Sequence, residues 1–202
     1  MAGIAQHGAV DINLLGGQLH YQPEFVSAAD TLYRVLRDSV AWQQPVLRIY
    51  GRQRPTPRLV SFVGDPGLSY RYSGQCHHSA DWPAGVAALR ERLANEFQLR
   101  FNCALLNYYR DGGDSMAWHS DDETELGTSP AIASISLGER RDFRFRPKPR
   151  GAAAGQPAQT IALEHGSLLL MLPPTQANWQ HCVPRRVGCG GRINITFRQL
   201  IG

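Results

Sequence analysis

The stretch Arg192-Ile-Asn-Ile-Thr-Phe-Arg198 alternates polar and apolar residues along its whole length. Because side chains on a β-strand alternate between its two faces, this pattern predicts a strand that carries both arginines, Asn194 and Thr196 on one side. Two guanidinium groups and an amide on one face suit a small ligand that bears carboxylates, which arginine binds through paired hydrogen bonds. The alternative is an edge strand whose polar face lies in water.

A possible metal site is formed by His119 and Asp121, which are two residues apart, together with His181 much later in the chain. On an extended segment the first two side chains point the same way. Two histidines and one carboxylate are the ligands of non-haem Fe(II) oxygenases, and they leave coordination positions open. A surface ion pair is the alternative for the His-x-Asp pair alone, and hydrolytic zinc is the alternative metal.

The arginine strand helps to decide between the two metals. Zinc gives no reason for two arginines on one strand face, whereas a keto acid that chelates iron and carries a second carboxylate gives one. The two motifs together, in this order along the chain, therefore favour an Fe(II) site with 2-oxoglutarate as the cosubstrate.

These motifs resemble the AlkB family of Fe(II)/2-oxoglutarate dioxygenases, particularly the members that act on alkylated DNA. The resemblance covers residues 45–201. Its matching segments are Asn107–Glu123, Ala133–Gly138, Arg141–Arg146, His165–Met171, Pro174–His181 and Arg192–Arg198.

The resemblance implies roles for individual residues of the cofactor site. The iron ligands would be His119, Asp121 and His181. The 2-oxoglutarate contacts would come from Asn107, Tyr109, Arg192, Asn194 and Arg198. The two arginines would pair with the two carboxylates of 2-oxoglutarate, and which arginine takes which carboxylate stays open.

The resemblance also implies a substrate site, with residues 50–72 as a nucleotide-recognition lid. The candidate contacts are Tyr50, Tyr70, Tyr72, Asp122, Glu123 and Arg144. Tyr72 resembles the aromatic residue that stacks on the damaged base, and Tyr50 lies where some relatives insert a wedge into the duplex. Interleaved basic and aromatic residues suit phosphate binding and base stacking.

Each substrate contact has a structural alternative. The tyrosines would pack on strands, and the arginines of the lid would be solvated. Glu123 either favours a cationic methylated base or caps the turn that follows it. Arg144 belongs to a row of basic residues that is either a phosphate track or a charged edge strand protected against aggregation.

Composition indicates one globular domain of 202 residues with an ordinary hydrophobic content of 43%. The four cysteines form no Cys-x-x-Cys pair, which argues against a zinc finger or a disulfide framework. The net charge of +4 fits a polyanionic partner. We see no secretory signal and no apolar run that could span a membrane. Reduced thiols suit a reducing cytoplasm, where Fe(II) also survives, so we expect a cytoplasmic monomer with no membrane association, associated with the nucleoid if the protein is bacterial.

The order of predicted elements indicates the fold. Residues 1–22 are expected to form a loose arm, followed by a helix over 23–42 and a second helix from Asp81-Trp-Pro83 to Phe97. Strands are expected at 46–50, 59–63, 103–109, 131–137, 142–146, 160–164, 167–172 and 192–199. This pattern predicts an α+β, mainly β fold: a double-stranded β-helix (jelly roll) with helices packed on one side.

The expected domains are an N-terminal arm and helix over residues 1–44 and a dioxygenase domain over 45–202. The implied function is oxidative demethylation of 1-methyladenine and 3-methylcytosine in DNA, with RNA as a further partner. The reaction would use Fe(II), 2-oxoglutarate and O2 and release formaldehyde, succinate and CO2. The alternatives are the same chemistry on RNA or a protein side chain, and a metal-binding jelly roll without turnover.

Overall fold

The computed structural model describes residues 8–49, 52–72 and 75–201, with the side chains of 47–49, 70–72 and 75–77 left out. The helices are α1 (Ala29–Ser39), α2 (Ala84–Phe97) and α3 (Thr175–Asn178), and a 3-10 turn spans Thr124–Leu126. The first strands are β1 (Val10–Leu14), β2 (Gly17–Gln22), β3 (Val46–Ile49), β4 (Arg52–Pro55), β5 (Leu59–Gly64), β6 (Ser69–Tyr72) and β7 (Gln75–His78). The remaining strands are β8 (Cys103–Tyr109), β9 (Met116–His119), β10 (Ile132–Gly138), β11 (Arg141–Pro147), β12 (Gln159–Leu163), β13 (Ser167–Leu172), β14 (Trp179–Val183) and β15 (Arg192–Arg198).

Two antiparallel sheets form the layers of the fold. The major sheet has seven strands in the order β1-β2-β13-β10-β15-β8-β5, and the minor sheet has four in the order β12-β11-β14-β9. One hydrophobic cluster lies between the sheets and joins residues such as Leu105 to Phe145 and Val183. The predicted jelly roll is confirmed by this arrangement.

The helices cover the outer face of the major sheet. Leu36 of α1 and Leu93 of α2 belong to a second hydrophobic cluster with Ile195 and other residues of the sheet. The alternation of β15 explains this division, since Ile193, Ile195 and Phe197 face the helices while the polar residues between them face the minor sheet. The prediction of helices on one side of the double sheet is confirmed.

Strand β15 is an interior strand, paired with β10 on one side and with β8 on the other. All seven of its residues are buried. The alternative of an edge strand with a wet polar face is therefore wrong. The register sets Asn194 opposite Asn107 and Arg192 opposite Tyr109, so residues from distant parts of the chain become direct neighbours.

The N-terminal region differs from its prediction. Residues 10–22 are not a loose arm, because β1 and β2 form a hairpin and β2 pairs with β13 of the major sheet. Helix α1 starts at Ala29 rather than at residue 23, because Glu24 has a left-handed φ of 55° that a helix does not accommodate. The division at residue 45 stays a prediction, although β2 on its N-terminal side pairs with β13 on its C-terminal side.

Two short ribbons, β3–β4 and β6–β7, lie outside the two sheets and consist of two strands each. All four residues of β4 are exposed. Helix α2 begins at Ala84, directly after Pro83, and Asp81 does not cap it, because no side chain forms a capping hydrogen bond there. Among the described residues, no helix is long and apolar enough to cross a membrane.

Candidate metal centre

Three side chains meet between the sheets at the ends of β9 and β14. The backbone of His181 on β14 is the register partner of His119 on β9, so the two strands set the imidazoles side by side. Their ring centroids are 4.2 Å apart. Asp121 follows β9, and one potential ligand atom from each of the three residues lies within 4.8 Å of the others.

Hydrogen bonds leave metal-binding atoms free on these side chains. The Nδ1 of His119 lies 2.9 Å from the carbonyl oxygen of Ala117, so this nitrogen carries the proton and Nε2 keeps its lone pair. Asp121 Oδ2 is buried with no hydrogen-bond partner among the described residues, 3.6 Å from His181 Nε2. A divalent cation held by these atoms would satisfy the orphaned oxygen, so the donor set fits the iron of a non-haem oxygenase.

The protonation states also suit metal binding. Burial raises the pKa of the Asp121 carboxyl, but the positive charge of Arg198, together with smaller electrostatic contributions from the two neighbouring imidazoles, outweighs burial and holds that pKa below its usual value. Burial, followed by the charge of His119, lowers the pKa of His181 to about 3. The site therefore contains an ionised carboxylate and a neutral buried imidazole, which are the forms that coordinate metals.

Two hydrogen bonds hold the segment that joins His119 to Asp121. They involve Gln176 and Ser120, which the sequence did not predict as site residues. The backbone N–H of Asp121 donates to Gln176 Oε1 at 2.9 Å, and the hydroxyl of Ser120 donates to the carbonyl oxygen of Trp179 at 2.9 Å. Gln176 is buried in α3, directly before the strand that carries His181. Its place in the Pro174–His181 motif was the only sequence signal for this role.

A cavity opens beside the three ligands. Polar residues of β8, β10 and β15 line it together with the three potential metal ligands, and the other lining residues are apolar. The lining residues are Leu105, Asn107, Tyr109, Met116, His119, Asp121, Ser134, Phe143, Met171, His181, Val183, Asn194, Thr196 and Arg198. Four of the five predicted 2-oxoglutarate contacts are in this set, and Arg192 is not.

Arg192 is buried next to the cavity, with its guanidinium carbon 5.2 Å from the centre of the Tyr109 ring. Its Nη2 donates to the hydroxyl of Ser136 at 2.9 Å, while Nε and Nη1 have no hydrogen-bond partner among the described residues. Burial lowers the pKa of Arg192 to about 10, so the side chain stays charged at neutral pH. Arg192 is therefore a buried cation with two N–H donors unpaired in the described part of the chain, which suits the binding of an anionic ligand.

Arg198 and Asn194 have protein partners in this structure. The guanidinium of Arg198 donates to Oδ1 of Asp121, and it thereby leaves Oδ2 to the metal position. Asn194 donates from Nδ2 to the hydroxyl of Ser134 at 2.8 Å and accepts from the hydroxyl of Thr196 at 2.8 Å. The predicted contacts of both residues with 2-oxoglutarate stay predictions.

Of the candidate substrate residues whose side chains the structure describes, Asp122, Glu123 and Arg144, none lines the cavity. Asp122 is largely exposed and pairs with Lys148 at 2.7 Å. Glu123 makes no side-chain capping bond to the 3-10 turn, which argues against the capping alternative. Tyr50 lies outside the described residues, as do the side chains of Tyr70 and Tyr72 on β6.

Arg144 lies on the outer face of the minor sheet. It is exposed on β11, on the opposite face from buried Phe143 and Phe145. Because β11 lies between β12 and β14, the alternative of a charged edge strand is wrong. Arg146 shares the outer face with Arg144, and its guanidinium carbon lies 4.6 Å from the centre of the Trp118 ring.

A double-stranded β-helix with two histidines and an aspartate between its sheets has the architecture and ligand set of a non-haem iron oxygenase. Comparison with known proteins agrees. The model of the 2OG-Fe(II) oxygenase superfamily matches residues 18–198. A solved structure, "The structure of OsALKBH1", has the same fold, with a TM-score of 0.60 at 17% identity, covering 94% of this chain and 100% of that one.

Comparison with curated relatives shows which members of this superfamily the chain is similar to. The chain is 36% identical over 180 residues to the DNA oxidative demethylase ALKBH2 of Mus musculus, covering 86% of this chain and 75% of that protein. The human ALKBH2 is 34% identical, with 86% and 69% covered. The alpha-ketoglutarate-dependent dioxygenase alkB homolog 3 of Mus musculus is 38% identical over 184 residues, and the chain spans 64% of its length.

The chain therefore belongs to the 2OG-Fe(II) oxygenase superfamily and, within it, to the AlkB family that its motifs resemble. It is an Fe(II)/2-oxoglutarate-dependent dioxygenase, with Fe(II) as cofactor and 2-oxoglutarate and O2 as cosubstrates.

Proposed function

We propose that the protein removes N-methyl groups from 1-methyladenine and 3-methylcytosine in DNA by oxidation. The observation that carries the proposal is the close approach of His119, Asp121 and His181 beside a cavity lined by four of the five predicted cosubstrate residues. The names of the ALKBH2 relatives, DNA oxidative demethylases, support the substrate class.

The protein's own residues have separate tasks in this reaction. When bound, Fe(II) would supply the oxidation that uses O2 and 2-oxoglutarate and yields formaldehyde, succinate and CO2. His119, Asp121 and His181 would hold the metal, while the buried charge of Arg192 would attract a carboxylate of the cosubstrate. Apolar lining residues such as Phe143 would exclude water from the reacting groups.

The outer face of the minor sheet is a second part of the proposed DNA site. Arg144 and Arg146 are exposed there, and Trp118 lies on the strand that ends at the iron ligand His119. Exposed arginines beside an aromatic ring suit a phosphate backbone and an unstacked base. The base itself must leave the stack to reach a cavity between two sheets.

The proposal also covers RNA as a substrate, the oligomeric state and location of the protein, and the lid. RNA with the same methylated bases is a further substrate, since the phosphate contacts proposed here do not read the sugar. The protein acts as a monomer and in the cytoplasm, as the sequence led us to expect. The lid over residues 50–72 carries the tyrosines that would stack on the base.

The experiment that tests the proposed function is release of formaldehyde from an oligonucleotide that contains one 1-methyladenine or 3-methylcytosine. Release should require Fe(II), ascorbate and 2-oxoglutarate together. An unmethylated oligonucleotide of the same sequence and the methylated oligoribonucleotide are the substrate controls.

The protein control is His181→Ala, which removes one metal ligand from the interior of the minor sheet. Formaldehyde release by wild type but not by this variant supports the proposal. Turnover of 2-oxoglutarate without any demethylation of DNA would contradict the substrate class, and demethylation of RNA alone would reassign it. Metal binding without any turnover of 2-oxoglutarate would indicate the non-catalytic jelly roll.

A further inference from the structure

Arg58 is a buried arginine that the cofactor residues discussed so far do not include. It lies directly before β5, in the predicted lid, whose arginines would be solvated in the structural alternative, yet only 4% of it is exposed. Its position two residues before Val60 places its side chain on the same face as Val60, which packs in the cluster between the sheets. The alternative of a solvated arginine is therefore wrong for Arg58.

The backbone around Arg58 is held by hydrogen bonds. The hydroxyl of the buried Thr56 donates to the carbonyl oxygen of Arg58 at 3.0 Å, and the carbonyl oxygen of Thr56 accepts from Gln44 at 2.9 Å. The carbonyl oxygen of Pro57 accepts from the backbone of Ser115 at 2.9 Å, directly before the strand that ends at His119. Arg58 thus projects from a fixed segment toward the site.

Its Nε donates to Oδ1 of Asn107 at 2.8 Å in a buried contact. A guanidinium group only donates hydrogen bonds, so the atom of Asn107 that faces Arg58 must be the oxygen. The amide nitrogen of Asn107, which lines the cavity, then has no acceptor among the described residues. Asn194, the register partner of Asn107, has both ends of its amide bonded to protein.

We propose that Arg58 is a positioning residue for the cosubstrate. It fixes the amide of Asn107 with Nδ2 toward the cavity, so that Asn107 donates to an oxygen of 2-oxoglutarate. This inference rests on the proposed use of Asn107 as a cosubstrate contact. A flipped amide would present its oxygen to an anion and would leave Arg58 facing an NH2 group, and both arrangements are unfavourable.

The first test is the affinity for 2-oxoglutarate, measured by titration calorimetry on protein loaded with Mn(II), which does not turn over. Arg58→Met should weaken binding about tenfold or more, because a buried hydrogen bond from a charged donor is lost. The affinity of Arg58→Lys for 2-oxoglutarate should lie between that of Arg58→Met and that of the wild type. The control is Arg54→Met on the exposed strand β4, which should bind 2-oxoglutarate as wild type does.

A double-mutant cycle separates positioning from general destabilisation. If Arg58 acts through Asn107, the double variant Arg58→Met/Asn107→Ala should bind 2-oxoglutarate no more weakly than Asn107→Ala alone. In steady-state assays Arg58→Met should raise KM for 2-oxoglutarate and leave kcat nearly unchanged. Unaltered affinity of Arg58→Met, or losses that add in the double variant, would overturn the inference.

A third variant tests the inference if the changes at Arg58 prevent folding. Asn107→Asp keeps an acceptor for Arg58 and presents a second carboxylate oxygen to the cavity instead of a donor. It should fold and lose affinity for 2-oxoglutarate at least as strongly as Asn107→Ala, and wild-type affinity would overturn the inference. If wild-type protein itself does not bind 2-oxoglutarate, the proposed function fails instead.

Discussion

The cavity between the sheets and the β3–β4 ribbon are built in opposite ways. The polar residues of the cavity come largely from β8 and β15, interior strands whose side chains are almost all buried. The β3–β4 ribbon has two strands and pairs with neither sheet, and β4 is exposed along its whole length. Packing in the core fixes the geometry of the cavity, whereas the β3–β4 ribbon is held mainly by the hydrogen bonds between its own two strands.

This difference in construction separates the residues proposed for metal and cosubstrate binding from those proposed for DNA binding. Metal and cosubstrate residues are held by strand register and by buried hydrogen bonds, which gives them the fixed geometry that catalysis requires. The proposed DNA contacts lie in the predicted lid over residues 50–72 and on the outer face of the minor sheet. Mutations in the first region should therefore remove chemistry, and mutations in the second should change substrate binding while 2-oxoglutarate binding persists.

The largest effect is expected from Asp121→Ala. This change removes one of the three metal ligands and leaves the buried Arg198 without its carboxylate partner. We expect loss of bound metal and a drop in demethylation of about a thousandfold or more. Metal content after gel filtration and formaldehyde release measure the two effects.

The neighbouring residue supplies the matched control for that change. Asp122→Ala removes an exposed carboxylate that pairs with Lys148 on the surface. It should keep one metal per chain, and loss of the metal in both variants would show that the segment, rather than the ligand, had been disturbed.

The next largest effect is expected from Arg192→Met. The variant keeps much of the volume of the side chain but removes a buried charge whose Nε and Nη1 have no described partner. Loss of a charge-assisted contact should weaken the binding of 2-oxoglutarate about ten- to a hundredfold. Calorimetry with Mn(II)-loaded protein measures it, and unchanged affinity would remove Arg192 from the cosubstrate site.

A smaller effect is expected on the outer face of the minor sheet. The double variant Arg144→Ala/Arg146→Ala should weaken the binding of single-stranded DNA several-fold and reduce the salt dependence of binding by about one to two phosphate contacts. Its affinity for 2-oxoglutarate should not change. Fluorescence anisotropy over a series of salt concentrations tests this, and an unaltered salt slope would place the DNA elsewhere.

The smallest effect is expected in the loop between β8 and β9. Burial raises the pKa of Asp114, but hydrogen bonds from the side chain and backbone of Arg110 outweigh it and hold that pKa below its usual value. The ionised carboxylate therefore stabilises the fold above about pH 4, and this contribution is lost as the pH falls through the lowered pKa. Asp114→Asn should cost about 1 kcal/mol at pH 7.

Urea unfolding of the wild type and Asp114→Asn at several pH values measures that contribution. The difference in the free energy of unfolding should shrink toward acidic pH. A difference that stays constant with pH would mean that the variant acts through packing rather than through charge.

The sequence predicted the parts of the fold whose pattern follows from strand and helix periodicity. The strands predicted at 103–109 and 167–172 coincide with β8 and β13, and helix α2 ends at Phe97 as predicted. The β1–β2 hairpin was missed although Val10, Ile12 and Leu14 alternate with polar residues, as do Leu19 and Tyr21, which is the period of a strand. Its place in the major sheet depends on pairing with β13, far away in the chain.

Local sequence patterns also predicted only part of the candidate site. The spacing of His119 and Asp121 and the alternation around Arg192 are local patterns, and they predicted the residues that meet between the sheets. The contact of Arg58 with Asn107 joins positions far apart in the sequence, and nothing in the local pattern indicates it. Side-chain partners of this kind follow from strand order and register, which a single sequence does not contain.

Binding of cosubstrate to the iron-loaded protein tests the central claim most directly. Without oxygen, Fe(II) should bind at one equivalent per chain, and one equivalent of 2-oxoglutarate should then produce a visible absorption band that neither component gives alone. Asp121→Ala should give no band. Tight Fe(II) binding with a spectrum that 2-oxoglutarate leaves unchanged would contradict a site in which three protein ligands and the keto acid share one metal.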